Sequence, residues 1–222
     1  MRESGTNKQI TRIALVEKIK AKYPKDYPLR MVTFPSRGLV TNGENSVERM
    51  ILDYYPNAII YGLECNIANY KYINWHVNRE PKLKRLKMFR TYDHKFFLNH
   101  MHIKYDAIFL DYYCQVNKDI YDFMVDLFNF ICEDTIVAAT FCLTKRISNK
   151  TFNKIVKMSS FNLDEGFVKM LRTDTREFVN ITWGPSYPYS NNDVCPGSEK
   201  MMMYIWEIKH KENKKPKWLK AS

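Results

Sequence analysis

The 222 residues carry 35 Lys and Arg against 24 Asp and Glu, a formal net charge of +11, and 45% of them are hydrophobic. That is ample apolar material for a packed core, and seven glycines with nine prolines are too few for a collagenous or low-complexity chain. The longest apolar run, Ile136 to Leu143, is too short to span a bilayer, and the polar start Met1-Arg-Glu-Ser-Gly lacks the apolar stretch of a secretory signal.

The five cysteines are odd in number, widely spaced and without a C-x-x-C pair, which reads as reduced thiols in an intracellular protein of the cytoplasm or nucleus. The surplus of positive charge favours a polyanionic partner, nucleic acid above all, with no membrane association. A composition biased towards Lys, Asn, Ile and Tyr is the alternative source of the same charge.

In chain order, Thr6 to Tyr23 has apolar residues at Ile10, Ile13, Ala14, Val16 and Ile19 and is stopped by Pro24, a leading helix within residues 1–28 that packs on the domain. Leu29, Met31, Val32 and Phe34 then form a short strand. A polar loop with Gly38 and Gly43 follows, then a helix from Asn45 to Tyr55 and a second strand from Ala58 to Glu64. Strand, loop, helix and strand within about 35 residues make a βαβ unit, and such units require a parallel sheet covered by helices. Asn45 with Glu48 three residues later has the pattern of a capping box at the helix start.

Ile67 to Val77 reads as a helix. The basic stretch Asn78 to Arg90, with Arg79, Lys82, Lys84, Arg85 and Lys87, leads into an edge strand over Leu86 to Arg90. His94 to His102 is a weak helix whose histidines lack the carboxylate or thiolate of a familiar metal site, so no metal is expected. Tyr105 to Tyr113 is the central strand, Asn117 to Cys132 a helix, Thr135 to Phe141 a fifth strand and Asn149 to Ser159 a further helix. Phe178 to Trp183 and Met201 to Ile208, joined by a Gly, Pro and Asn-rich loop without a helix, are an antiparallel pair. Residues 210–222 form a loose basic tail whose Lys211, Lys214, Lys215 and Lys217 are placed, like the 79–87 segment, to meet phosphates.

Three short stretches carry chemistry. They are Met31-Val-Thr-Phe-Pro-Ser-Arg-Gly38 with Asn42-Gly43-Glu44-Asn45, then Gly62-Leu-Glu64-Cys-Asn66, then Asp111-Tyr112-Tyr113. Each follows a strand, where ligands of open α/β sheets bind. Together with the element order they resemble the class I S-adenosylmethionine-dependent methyltransferases over residues 29–209, in the divergent form found in viruses and mobile elements. The resemblance implies a Rossmann-like, mostly parallel seven-stranded sheet with a C-terminal antiparallel strand pair and helices on both faces.

It also implies that Phe34, Ser36, Gly38, Gly43 and Asn45 surround the methionine part of S-adenosyl-L-methionine, that Glu64 accepts both ribose hydroxyls and that Asp93 meets the adenine amino group. Asp111, Tyr112 and Tyr113 stand where amino-methylating nucleic-acid enzymes carry the acceptor-binding acid and aromatic, although both prolines of that motif are missing. A tight G-x-G turn is missing too. The expected function is therefore a methyltransferase acting on DNA or RNA. The alternative is a catalytically inactive methyltransferase-fold subunit, beside a protein partner or as a nucleic-acid-binding module, and a small-molecule Rossmann enzyme comes third. Solvated strand-end carboxylates and an ordinary capped helix are the plain counter-readings of the same residues.

Overall fold

The computed structural model describes residues 4–41, 46–112, 117–131, 134–142, 163–175, 178–181, 189–190 and 200–208. The chain divides into two compact units, residues 1–111 and 112–222.

In the first unit, strands β1 (Arg30–Thr33), β2 (Ile59–Leu63), β3 (Leu86–Phe89) and β4 (Ala107–Asp111) lie in the order β3-β2-β1-β4, every pair parallel. They are near-continuous apolar runs, as strands covered on both faces must be, and β4 is buried from end to end. β3 is the edge strand the basic stretch predicted. The crossovers through α3 (Val47–Tyr54) and α4 (Ile67–Arg79) step in one direction along the sheet, and the crossover through α5 (Asp93–Asn99) steps back. Right-handed connections then put α3 and α4 on one face and α5 on the other. The side chains agree: Tyr61 of β2 joins Phe89, Phe96 and Tyr105 in an aromatic cluster with α5. The next residue, Gly62, faces the opposite way.

α1 (Ser4–Lys22) buries part of the predicted stripe: Val16 and Ile19 are buried, with Leu15 beside them, whereas Ile10 and Ile13 are 51% and 41% exposed. The reason is its anchorage. After the helix, the Tyr23 hydroxyl donates to the Asp106 carbonyl (3.1 Å) at the start of β4, while Arg12 reaches Asp111 at its end (3.8 Å). Eleven residues of helix and five of strand both cover about 16 Å, so α1 runs antiparallel alongside β4. The buried Tyr55 hydroxyl shares its proton between the carbonyls of Tyr23 (3.0 Å) and Ile19 (3.2 Å). Burial, with Tyr54 and Glu17 nearby, pushes its pKa up to about 12 and keeps it a donor.

Two further expectations are corrected here. α3 begins at Val47, later than Asn45, because Ser46 is its cap: the Ser46 hydroxyl accepts from the Arg49 amide (3.2 Å). Glu48 does not close a capping box; its carboxylate takes a hydrogen bond from the Thr33 hydroxyl (2.8 Å) at the end of β1. The loop after β1 also contains helix, the short α2 (Gly38–Thr41).

In the second unit, β8 (Lys200–Ile208) is antiparallel to β5 (Ile136–Cys142) on one side and to β6 (Phe178–Ile181) on the other. The two-residue strand β7 (Tyr189–Ser190) also pairs with β8, inside the stretch read as loop. The described residues therefore hold eight strands where seven were expected. α6 (Lys118–Asp126), capped by the Asn117 side chain on the Ile120 amide, continues as a π-helical segment over Leu127–Ile131. α7 (Leu163–Asp174) was not foreseen; Phe167 and Leu171, one turn apart and buried, are its signal. Phe128, Phe141, Phe167, Tyr204 and Trp206 form the aromatic core of this unit. The expected helix Asn149 to Ser159 and the tail 210–222 lie outside the described residues. Among the described residues no helix is long and apolar enough to cross a membrane.

Gly62 is closely packed. A Cβ there would stand 2.6 Å from Met88 Sδ and 2.7 Å from Pro35 Cγ. Gly62→Ala should cost about 1–3 kcal/mol through overpacking, read as a lower denaturant midpoint with an unchanged m-value.

Candidate cofactor site

Because β1 to β4 are parallel, their carboxyl ends share one edge of the first unit, with Thr33 in register with Gly62 and Phe109, and Leu63 with Phe89. Three features build that edge. The first is the segment after β1. Pro35 lies directly over Gly62, so this segment crosses the end of β2 at a distance no side chain would permit. The amides of Leu39 and Val40 donate to the carbonyls of Ser36 and Arg37 (3.0 Å each), and buried Leu39 anchors the turn.

Arg49 of α3 then fixes this segment from behind. Its Nε donates to the Leu39 carbonyl (2.9 Å), and its two terminal nitrogens grip both carboxylate oxygens of Glu80, at the end of α4. The hydrogen bonds from Arg49 hold the Glu80 carboxyl below the usual carboxylate range, against the opposing effect of burial.

The second feature is Glu64, one residue past β2. Its amide donates to the Phe89 carbonyl (3.0 Å), and its Oε1 accepts from the Asn66 amide (2.7 Å), ordering the turn into α4. Asn66 in turn caps α4, accepting from the amides of Ala68 (2.9 Å) and Asn69 (3.0 Å). Glu64 is partly exposed, and no described residue bonds its Oε2. A carboxylate oriented through one oxygen and open at the other suits recognition of a ribose hydroxyl.

The third is Asp111, ending β4, with its side chain 4% exposed and Arg12 of α1 3.8 Å away. Arg12 is a residue of this edge that sequence reasoning missed. It occupies the buried face of α1, where the periodicity reads apolar, and only the tertiary contact with β4 singles it out.

The other candidates are placed as follows. Phe34 and Ser36 belong to the segment after β1 and Gly38 begins α2; Gly43, Asn45 and Tyr113 lie outside the described residues. Asp93 opens α5 and accepts from the His94 amide (2.7 Å), bracing its own helix at the end of β3. Tyr112 falls in the second unit, stacked on Phe141 at 5.5 Å. Lys82, Lys84 and Lys87 are exposed. Arg79 lies over the Trp75 ring, and Arg85 turns inward, its guanidinium donating to the carbonyls of Leu52 (2.7 Å) and Tyr55 at the end of α3. Lys211, Lys214, Lys215 and Lys217 are outside the described residues. Among the described residues no cluster of His, Cys, Asp or Glu could hold a metal ion.

No protein-family model matches the sequence, and no curated protein matches it. Solved structures do match the fold. The methyltransferase domain of a bacterial Hen1 superposes with a TM-score of 0.54 at 13% identity, over 91% of this chain and 99% of that one. A SAM-dependent O-methyltransferase from Thermotoga maritima gives 0.50 at 11% identity, over 89% and 66%. The fibrillarin pre-rRNA processing protein of Methanococcus jannaschii gives 0.50 at 10% identity, over 83% and 69%. The fold is that of the class I SAM-dependent methyltransferases. At these identities the likeness concerns the fold alone.

The Arg49–Glu80 grip has a pH signature. Because the folded-state pKa of Glu80 is depressed, its stabilisation is full above the ordinary carboxylate pKa and disappears as pH falls through the folded value. Glu80→Gln should lower stability by up to about 1 kcal/mol at neutral pH, and the gap from the parent protein should close in acid; denaturant titrations at pH 7 and pH 3 measure both ends.

Proposed function

We propose that the chain binds S-adenosyl-L-methionine at the carboxyl edge of its first unit and methylates nucleic acid. The observation that carries this reading is Glu64, a partly exposed carboxylate one residue past the second strand of a methyltransferase fold, whose Oε2 no described residue bonds. The segment after β1, held on Gly62 by Pro35, gives the methionine part a backbone wall in place of the missing glycine turn. When bound, the cofactor supplies an electrophilic methyl group. The protein's own contribution is placement.

Glu64 accepts from the ribose, and Asp93 lies at the neighbouring strand end for the adenine amino group. Asp111 orients the acceptor, with Arg12 balancing its charge. Nucleic acid as the acceptor rests on the net charge of +11 and on the exposed lysines 82, 84 and 87. The likeness to a pre-rRNA processing fibrillarin agrees with it.

One arrangement favours the second reading, a catalytically inactive relative: Asp111 is buried against Arg12, and a helical turn stands in place of a glycine turn. Calorimetric titration separates the two. Binding of S-adenosylmethionine at micromolar affinity, weakened by about 1–3 kcal/mol in Glu64→Ala, is the expected result. No binding heat at millimolar cofactor would establish the inactive reading instead.

A further inference from the structure

α4 carries a partly exposed row of three rings with an arginine at each end. Its apolar face is Ile73 and Val77, both buried, and Tyr72, Trp75, His76 and Arg79 fall together along one flank. The Arg79 guanidinium lies 3.5 Å from the centroid of the Trp75 ring, which is 52% exposed. Trp75 and Tyr72 each meet the His76 ring edge-on, at 4.5 and 4.7 Å. At the other end Arg37, from the segment after β1, lies 5.1 Å over Tyr72 and donates from Nε to Asn69 Oδ1 (2.9 Å).

Charge in this region has one sign. Between Ile67 and Arg90 there are seven Lys and Arg and one acid, Glu80, whose carboxylate Arg49 already holds.

We infer that this flank of α4 is a docking track for single-stranded nucleic acid. Trp75 leaves about half of its surface in water, and an exposed aromatic surface offers unpaired bases a stacking platform that tolerates any sequence. The Arg79 guanidinium over Trp75 keeps its N–H donors in the plane of the group, where a phosphate can meet them. A duplex hides its base faces and would draw on the charge alone. The track begins at Arg37, within the segment assigned to the cofactor, so it leads a strand towards that edge. In this respect it rests on the function proposed above.

The test is fluorescence anisotropy of the full chain with a labelled oligouridylate, the same length of oligothymidylate and a duplex of equal length, in about 150 mM salt. The parent protein should bind the single strands more tightly than the duplex. Trp75→Ala should weaken single-strand binding about fivefold or more, Trp75→Phe should largely restore it, and duplex binding should not change. Arg79→Ala should make the log-log salt slope for single strands shallower by about 0.7.

Thermal melting of each variant should match the parent, since the ring and guanidinium are at the surface. A Trp75→Ala protein that melts normally and binds single strands as the parent does would overturn the inference, as would a parent that prefers duplex or binds neither. Calorimetry with the cofactor on the same variants is unaffected in every case, so loss of the track and loss of the methyltransferase reading are told apart.

Discussion

The carboxyl edge of the first unit depends on one guanidinium. Arg49 is made available by the Ser46 cap that starts α3, and it ties the carbonyl of Leu39 to the carboxylate of Glu80. The segment after β1 and the end of α4 thereby become parts of one framework. Pro35 on Gly62, the turn from Ser36, buried Leu39 and the Arg37–Asn69 hydrogen bond hold the segment as well, and the clamp adds a bidentate ion pair to them. A methyltransferase fold normally shapes this place with glycines; here a bidentate ion pair and a close van der Waals contact perform the shaping.

The second constraint is the lie of α1 along β4. Tyr23 on Asp106 and Arg12 on Asp111 match one helix to the length of one strand. The acid proposed to orient the acceptor is thus inseparable from the leading helix. Burial of Asp111 requires a compensating charge, and Arg12 provides it from an element outside the βαβ repeat.

Much of this architecture was legible because burial writes itself into periodicity. Continuous apolar runs marked β1, β2 and β4, and the 3.6-residue stripe marked α6. Glu64 was legible as a carboxylate following an apolar run. Other features depended on contacts between segments far apart in the chain. Ile10 and Ile13 fit a helical stripe as well as Leu15 does, and only the register of α1 on β4 exposes the first two and buries the third. Glu48 matched a local capping pattern but is drawn off by Thr33, fifteen residues away. Arg49 and Arg85 read as ordinary basic residues until their backbone acceptors, at Leu39 and at Leu52 and Tyr55, are in view. The row of rings on α4 was likewise present as scattered aromatic residues, and helical spacing brings them together.

The most direct test of a cofactor site on this edge is hydrogen–deuterium exchange with and without S-adenosylhomocysteine. The account predicts slower exchange confined to peptides covering residues 34–41 and 63–69, with β8 and α7 unchanged. Protection centred anywhere in residues 112–222, or none at saturating ligand, would contradict it.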